Sequence, residues 1–124
     1  NTFFPPNQPT VTRCYKFGKE VRKAVESWDK DLKVAGFCSG GLSHFTIDEE
    51  LDRDFLDAIE SGDEAKILAI PNELLVSGTS ELKNWIALAG FVADTDLKST
   101  AVDYIPCYRS AAGTGNAMAF AIWN

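Results

Sequence analysis

The run Leu32-Lys33-Val34-Ala35-Gly36-Phe37-Cys38 is short and mostly apolar, breaks into Ser39-Gly40-Gly41, and leads to His44, the only histidine among 124 residues. A run this short is ambiguous between strand and helix, but the glycines that follow favour a strand that ends at a site. A helical pattern comes before it, so helix then buried strand reads as half of an α/β layer. The fold expected is α/β, with helices packed on a small central sheet whose central strand is 32–38.

The rest of the chain fits that frame. Prolines 5, 6 and 9 keep residues 1–9 out of helix or inner strand and predict an extended arm. From Thr10 or Thr12 as N-cap, Cys14, Phe17, Val21, Ala24, Val25 and Trp28 recur at three- and four-residue steps, the mark of an amphipathic helix. Leu51, Phe55 and Ile59 predict a second helix over about 48–60, closed by Gly62. Asp63 caps a short third helix ended by Pro71, which can also open one more turn. Ser77-Gly78-Thr79-Ser80 reads as a hinge before a last helix over 81–92 with Leu82, Trp85, Ile86 and Ala89 on one side. Residues 100–105 and 117–123 read as two neighbouring strands separated by a turn cluster at 111–116.

Composition narrows function by exclusion. Eighteen acidic against twelve basic residues give a net charge of −6, and no stretch gathers cations with aromatics, which disfavours nucleic-acid binding. Three cysteines far apart suggest neither a disulfide framework nor a metal knuckle, and fit a reducing compartment. No apolar run reaches the roughly 18 residues of a membrane span and no signal peptide opens the chain, so a cytoplasmic protein is expected. The chain starts at Asn1, in a passage that reads like a connection between elements. One domain, or part of a larger one cut from a longer protein, is the reading.

His44 is the first candidate for chemistry, because histidine takes and returns protons near neutrality and residues beyond a buried strand face the usual α/β crevice. The alternative is a hydrogen-bonded structural histidine. Gly36-Phe37-Cys38-Ser39-Gly40 matches a cysteine form of the nucleophile elbow found in some hydrolases, with Cys38 as thiolate; a buried apolar cysteine is the alternative. Glu81 and Glu73 lie near helix starts, Glu81 behind a glycine that would let a helix end approach a site, Glu73 more simply a capping or surface residue. Asp48-Glu49-Glu50 with Asp52 and Asp54 lacks the pattern of a calcium loop and reads as the polar face of a helix. Gly40-Gly41 completes no phosphate-binding pattern, and Gly113-Thr114-Gly115 reads as a turn.

Several stretches together carry a resemblance: Ser39-Gly40-Gly41-Leu42-Ser43-His44, Ile47-Asp48-Glu49-Glu50-Leu51-Asp52 with Phe55, and Ser77-Gly78-Thr79-Ser80-Glu81 with Asn84-Trp85-Ile86. With the Pro5-Pro6-Asn7-Gln8-Pro9 arm, Arg13-Cys14-Tyr15, and Tyr108-Arg109 to Ala112-Gly113-Thr114-Gly115, they make nearly the whole chain resemble the carboxyl-terminal half of class III extradiol ring-cleaving dioxygenases, catalytic subunit of the protocatechuate 4,5-dioxygenase type. The resemblance implies an iron(II) enzyme of aromatic catabolism that opens catechol-type rings, protocatechuate- or gallate-like, with dioxygen as co-substrate and iron held by two histidines and a glutamate. Glu81 falls on the glutamate ligand and His44 on the acid–base histidine, which is not a ligand. Ser43 and Thr114 fall near the substrate. A facial set of that kind leaves positions open for a catecholate and dioxygen, and a group titrating near neutrality can take a proton from the diol and return it.

The chain departs from the pattern in having no histidine for the two ligand positions. The expectation is that they lie in a missing amino-terminal half or a partner subunit, that this chain alone holds no triad iron site and cleaves no ring, and that apolar surface left by the missing half favours an oligomer. The alternative from another class is a metal-free binding or regulatory module on the same scaffold.

Overall fold

The computed structural model describes residues 3–124, arranged as four helices, two short 3-10 turns and a three-stranded antiparallel sheet. Helix α1 spans Val11–Glu26, strand β1 His44–Thr46, α2 Glu49–Ser61, α3 Glu64–Leu68, α4 Leu82–Val92, β2 Ser99–Tyr108 and β3 Thr114–Trp123. The sheet order is β1-β3-β2.

The helix boundaries follow the capping chemistry. Thr10 caps α1 through a hydrogen bond from the Arg13 N–H, Asp48 caps α2 through that of Leu51, and Asp63 caps α3 through that of Lys66. Gly62 ends α2 in the left-handed conformation (φ 65°), where a side chain would be strained. The 77–80 hinge is a 3-10 turn over Ser77–Glu81 that runs directly into α4. Both 3-10 turns and α4 carry the chain past a core of Val11, Leu42, Phe55, Ile67, Leu75, Leu82 and Ile86, each at most 2% exposed. Phe55 of α2 meets Trp85 of α4 edge-to-face at 6.4 Å between ring centroids, which ties the acidic helix to the helix behind Glu81.

Helices α1 and α4 cross at backbone contact. A Cβ added to Gly18 would collide with the Ala87 carbonyl, and one added to Gly90 with the Tyr15 carbonyl. Only glycine at both positions permits this approach.

Strands β2 and β3 pair as a long hairpin from Ser99↔Trp123 to Tyr108↔Gly115, with an irregularity between Ala101 and Asp103. The expected strands are longer than their patterns suggested, and Thr114, Gly115 and Asn116 belong to β3 rather than to the turn. Gly115 faces the Cys107 carbonyl so closely that a Cβ would strike it.

One expectation is corrected. Residues 32–38 form neither the central strand nor any strand; they run as irregular chain over α4, with Phe37 91% exposed. Their apolar content is strand-like, but among the described residues no element pairs with them. The small sheet is instead centred on β3. Of the arm expected over 1–9, residues 1–2 lie outside the described residues, and residues 3–7 make bends, with a cis Pro5–Pro6 bond and the Gln8 side-chain amide donating to the Phe3 carbonyl at 2.7 Å. Among the described residues no helix is long and apolar enough to cross a membrane.

Candidate active site

The glycine corner and the start of α4 are built against each other. The Trp85 indole N–H donates to the Gly40 carbonyl at 3.0 Å, the Asn84 amide to the Ser39 carbonyl at 2.8 Å, and the Gly41 N–H to Glu81 Oε2 at 2.6 Å. The first turn of α4 therefore holds residues 39–41 in place, and in return one oxygen of Glu81 is fixed by a backbone donor. Gly40 has φ 148°, and a Cβ there would crowd the Glu81 side chain at 2.9 Å. A Cβ on Gly41 would land on Nε2 of His44, and one on Gly78 on the His44 side chain. Glycine at these positions is a requirement of space.

His44 lies between these glycines. Its N–H donates to Thr79 Oγ1 at 3.0 Å, which ties β1 to the turn before Glu81. Its Nε2 stands 3.4 Å from Glu81 Oε2, with the imidazole side chain 14% exposed and the carboxylate 41% exposed. That separation is too long for a good hydrogen bond, and the buried Nε2 has no hydrogen-bond partner among the described residues. A buried polar atom without a partner is costly in a native fold and marks a place where a ligand or reactant completes the set. The next residue, Phe45, is held at φ 68°, a left-handed conformation that costs a non-glycine residue on the order of 1–2 kcal/mol.

Beneath His44 is a buried polar knot that the sequence reading missed. Asp52, read as part of a solvated helix face, is fully buried. Its carboxylate accepts from the Ser43 N–H at 2.8 Å, the Ser43 hydroxyl at 2.7 Å and the Tyr104 hydroxyl at 2.9 Å. Burial pushes its pKa up, against the pull of these donors. The signal was present: Asp52 precedes Phe55, Leu56 and Ile59 by three, four and seven residues, which places it on the apolar stripe of α2.

Of the residues expected to act, the structure brings His44 and Glu81 together and places Ser43 next to them by chain. Ser43 is 1% exposed, with its hydroxyl donating to Asp52 and accepting from the Asp48 N–H at 2.9 Å. Its hydrogen bonds fix the corner from within. Thr114 pairs with Thr46 across β1–β3, two residues from the Asn116 that pairs with His44, and its hydroxyl shares a hydrogen bond with Ser110 at 2.7 Å. No hydrogen bond links it to His44 or Glu81. Cys38 does not sit on an elbow between strand and helix, and burial pushes its thiol up to about 11, which keeps it protonated at neutral pH. Glu73 lies on an exposed 3-10 turn over Asn72–Leu74. Gly78 and Thr79 seat His44, a contact that the hinge reading of 77–80 does not contain.

The donor set can be tested for a metal. Among the described residues there is no group of three or more His, Cys, Asp or Glu side chains that could hold an ion. The corner supplies one carboxylate, partly exposed and oriented by a backbone N–H, beside one unbonded imidazole nitrogen. That fits a contribution to a shared metal set and falls short of a whole one.

Residues 2–117 match the family model described as the catalytic LigB subunit of aromatic ring-opening dioxygenase, and the chain belongs to that family, of the extradiol ring-cleaving type. Among curated proteins, the gallate dioxygenase of Pseudomonas putida strain KT2440 is 45% identical over 58 residues, a match covering 41% of this chain and 17% of that protein. The chain thus corresponds to well under two thirds of that relative's length.

Proposed function

We propose that the chain is the carboxyl-terminal part of an iron(II)-dependent extradiol dioxygenase acting on catechol-type rings of the protocatechuate or gallate kind. One observation carries the reading: an unbonded, buried His44 Nε2 held 3.4 Å from the Glu81 carboxylate by three glycines, in a chain of this family.

In this reading Glu81 furnishes one iron ligand, with the Gly41 N–H on Oε2 fixing its orientation. The other ligands come from polypeptide outside these residues. Iron, when bound, supplies the orientation of the diol and the activation of dioxygen. His44 takes a proton from a substrate hydroxyl on Nε2 and later returns it, and its low exposure limits competition from water. Thr79 and the Ser43–Asp52 pair keep the imidazole in register with Glu81. Thr114 is assigned to the substrate side, on the strand that pairs with β1.

The test separates two roles in the complete catalytic subunit. Glu81→Gln is expected to remove most bound iron, and His44→Gln to retain iron while lowering turnover of protocatechuate or gallate by about 100-fold, the lower end for a general acid–base group. Equal iron loss in both variants would overturn the division of labour. Full activity in both would remove these residues from the reaction, and a wild-type complete subunit with neither iron nor turnover would favour a binding module.

A further inference from the structure

The pairing of β3 is incomplete on one side in a regular way. Ala117 uses both backbone groups away from β2: its N–H donates to the Ser43 carbonyl at 2.8 Å and its carbonyl accepts from the Leu42 N–H at 2.9 Å. At the far end, Asn124 exchanges both of its groups with Lys98, on the β2 side. With the period of two of a strand, Ala119, Ala121 and Trp123 must present their N–H and carbonyl groups to the side of Ala117. No backbone partner for them exists among the described residues. Ala119 is only 8% exposed, so its backbone borders the core.

A second segment has the same deficit. Residues 33–38 make no backbone hydrogen bond to the rest of the described chain, although their apolar content is that of a buried strand. They lie on α4, where a Cβ on Gly36 would touch Leu88 and Phe91 at 3.2 Å. One groove is bounded by both: Val34 to Gly40 on one side, Ala119 to Trp123 on the other, with Trp85, Leu88 and Phe91 of α4 completing it. Among the described residues, Arg22 is the one charged side chain in its lining.

We infer that this groove receives a β-strand, inserted between residues 34–38 and β3, that comes from the part of the catalytic subunit outside these residues. The inserted strand is mainly apolar, because the groove is lined mostly by apolar residues. It continues the edge on which Leu42 and Ser43 already pair with Ala117, so the sheet grows from an existing pairing rather than starting a new one. A second copy of this chain is a poorer occupant. Its edge strands are the three-residue β1 and β2, which carries Asp103 and Pro106, and proline cannot donate to a ladder, while its own open stretches 34–38 and 119–123 line its groove. Such a strand has a source, since most of the gallate dioxygenase relative lies outside the matched stretch. On this inference residues 32–38 do form a strand once their neighbour is present. The inference rests on backbone geometry and not on catalysis.

Amide hydrogen exchange tests it, on this chain alone and on the complete catalytic subunit. The amides of Ala119, Ala121 and residues 34–38 are expected to exchange fast in the chain alone and at least 100-fold more slowly in the complete subunit, while those of Met118, Phe120 and Ile122 are protected in both. Protection of Ala119 and Ala121 in the monomeric chain would show the edge satisfied internally and overturn the inference. Protection that grows with concentration of the chain alone would assign the groove to a second copy and overturn it equally, as would fast exchange in both forms. Ala121→Pro removes a donor on the open side without touching the β2 ladder, and in the complete subunit it should loosen residues 34–38 selectively. If that variant does not fold, the wild-type comparison still decides. Slow exchange in a complete subunit that binds no iron would sustain the groove and sink the proposed function.

Discussion

His44 Nε2 and Glu81 Oε2 stand 3.4 Å apart although 37 positions separate them in sequence, and the closeness is produced by backbone rather than by any bond between the two side chains. Gly40, Gly41 and Gly78 leave the space, the Gly41 N–H holds the carboxylate, and Thr79 holds the histidine backbone.

The glycines should therefore be as sensitive as the groups they seat. Gly78→Ala and Gly41→Ala each push a methyl into the His44 side chain and are expected to cost about 1–3 kcal/mol, the usual range for overpacking. Turnover in the complete subunit should fall more than stability alone predicts, because the imidazole is displaced. Urea midpoints beside kcat measure both effects.

Truncation of the buried carboxylate should be among the most damaging single changes in this chain. Asp52→Ala leaves the Ser43 N–H, the Ser43 hydroxyl and the Tyr104 hydroxyl without their acceptor, and a loss of about 3 kcal/mol or more is expected. Tyr104→Phe deletes one donor and should cost about 1 kcal/mol. Chemical denaturation of the three proteins ranks them.

The pH dependence of the same residue has a definite sign. Burial raises the Asp52 pKa in the folded state, so the native protein holds a proton that the unfolded chain has released. Stability from this group is greatest below the ordinary carboxylate range and declines as pH rises through the raised native value. Unfolding free energies from pH 3 to pH 7 should show wild type losing ground against Asp52→Asn as pH increases. A gap that widens in favour of wild type would contradict the raised value.

Cys38 should be a slow thiol. With its pKa near 11 against about 8.5 for a free cysteine, alkylation by iodoacetamide at pH 7.5 is expected to run roughly 100-fold slower than for a model peptide. Labelling at the peptide rate would reopen a nucleophilic role.

Local chemistry was legible where it acts over one helical turn. Thr10, Asp48, Asp63 and Gly62 marked helix ends because a cap is a contact between near neighbours. The paired hairpin strands were legible in outline, and their extension to Thr114 was not, because a glycine-rich stretch pairs when its partner strand is long enough. Residues 32–38 failed for the converse reason: strand propensity declares a need for neighbours, and no element among the described residues supplies them. His44 and Glu81 came from motif and resemblance, whereas Asp52 lay hidden in an acidic run whose register alone betrayed it. Gly78 and Thr79 act through the tertiary approach of β1, which no local pattern encodes.

The backbone contact of α1 with α4 at Gly18 and Gly90 reaches beyond packing. Two rods that touch backbone to backbone at two points leave little room there for one to slide on the other. Glu81 sits at the head of the second rod, and the reach of its carboxylate is set by where the first one rests. An engineer who wished to retune that reach by substitution around the site would find it anchored some distance away, by two residues that have no side chain to redesign.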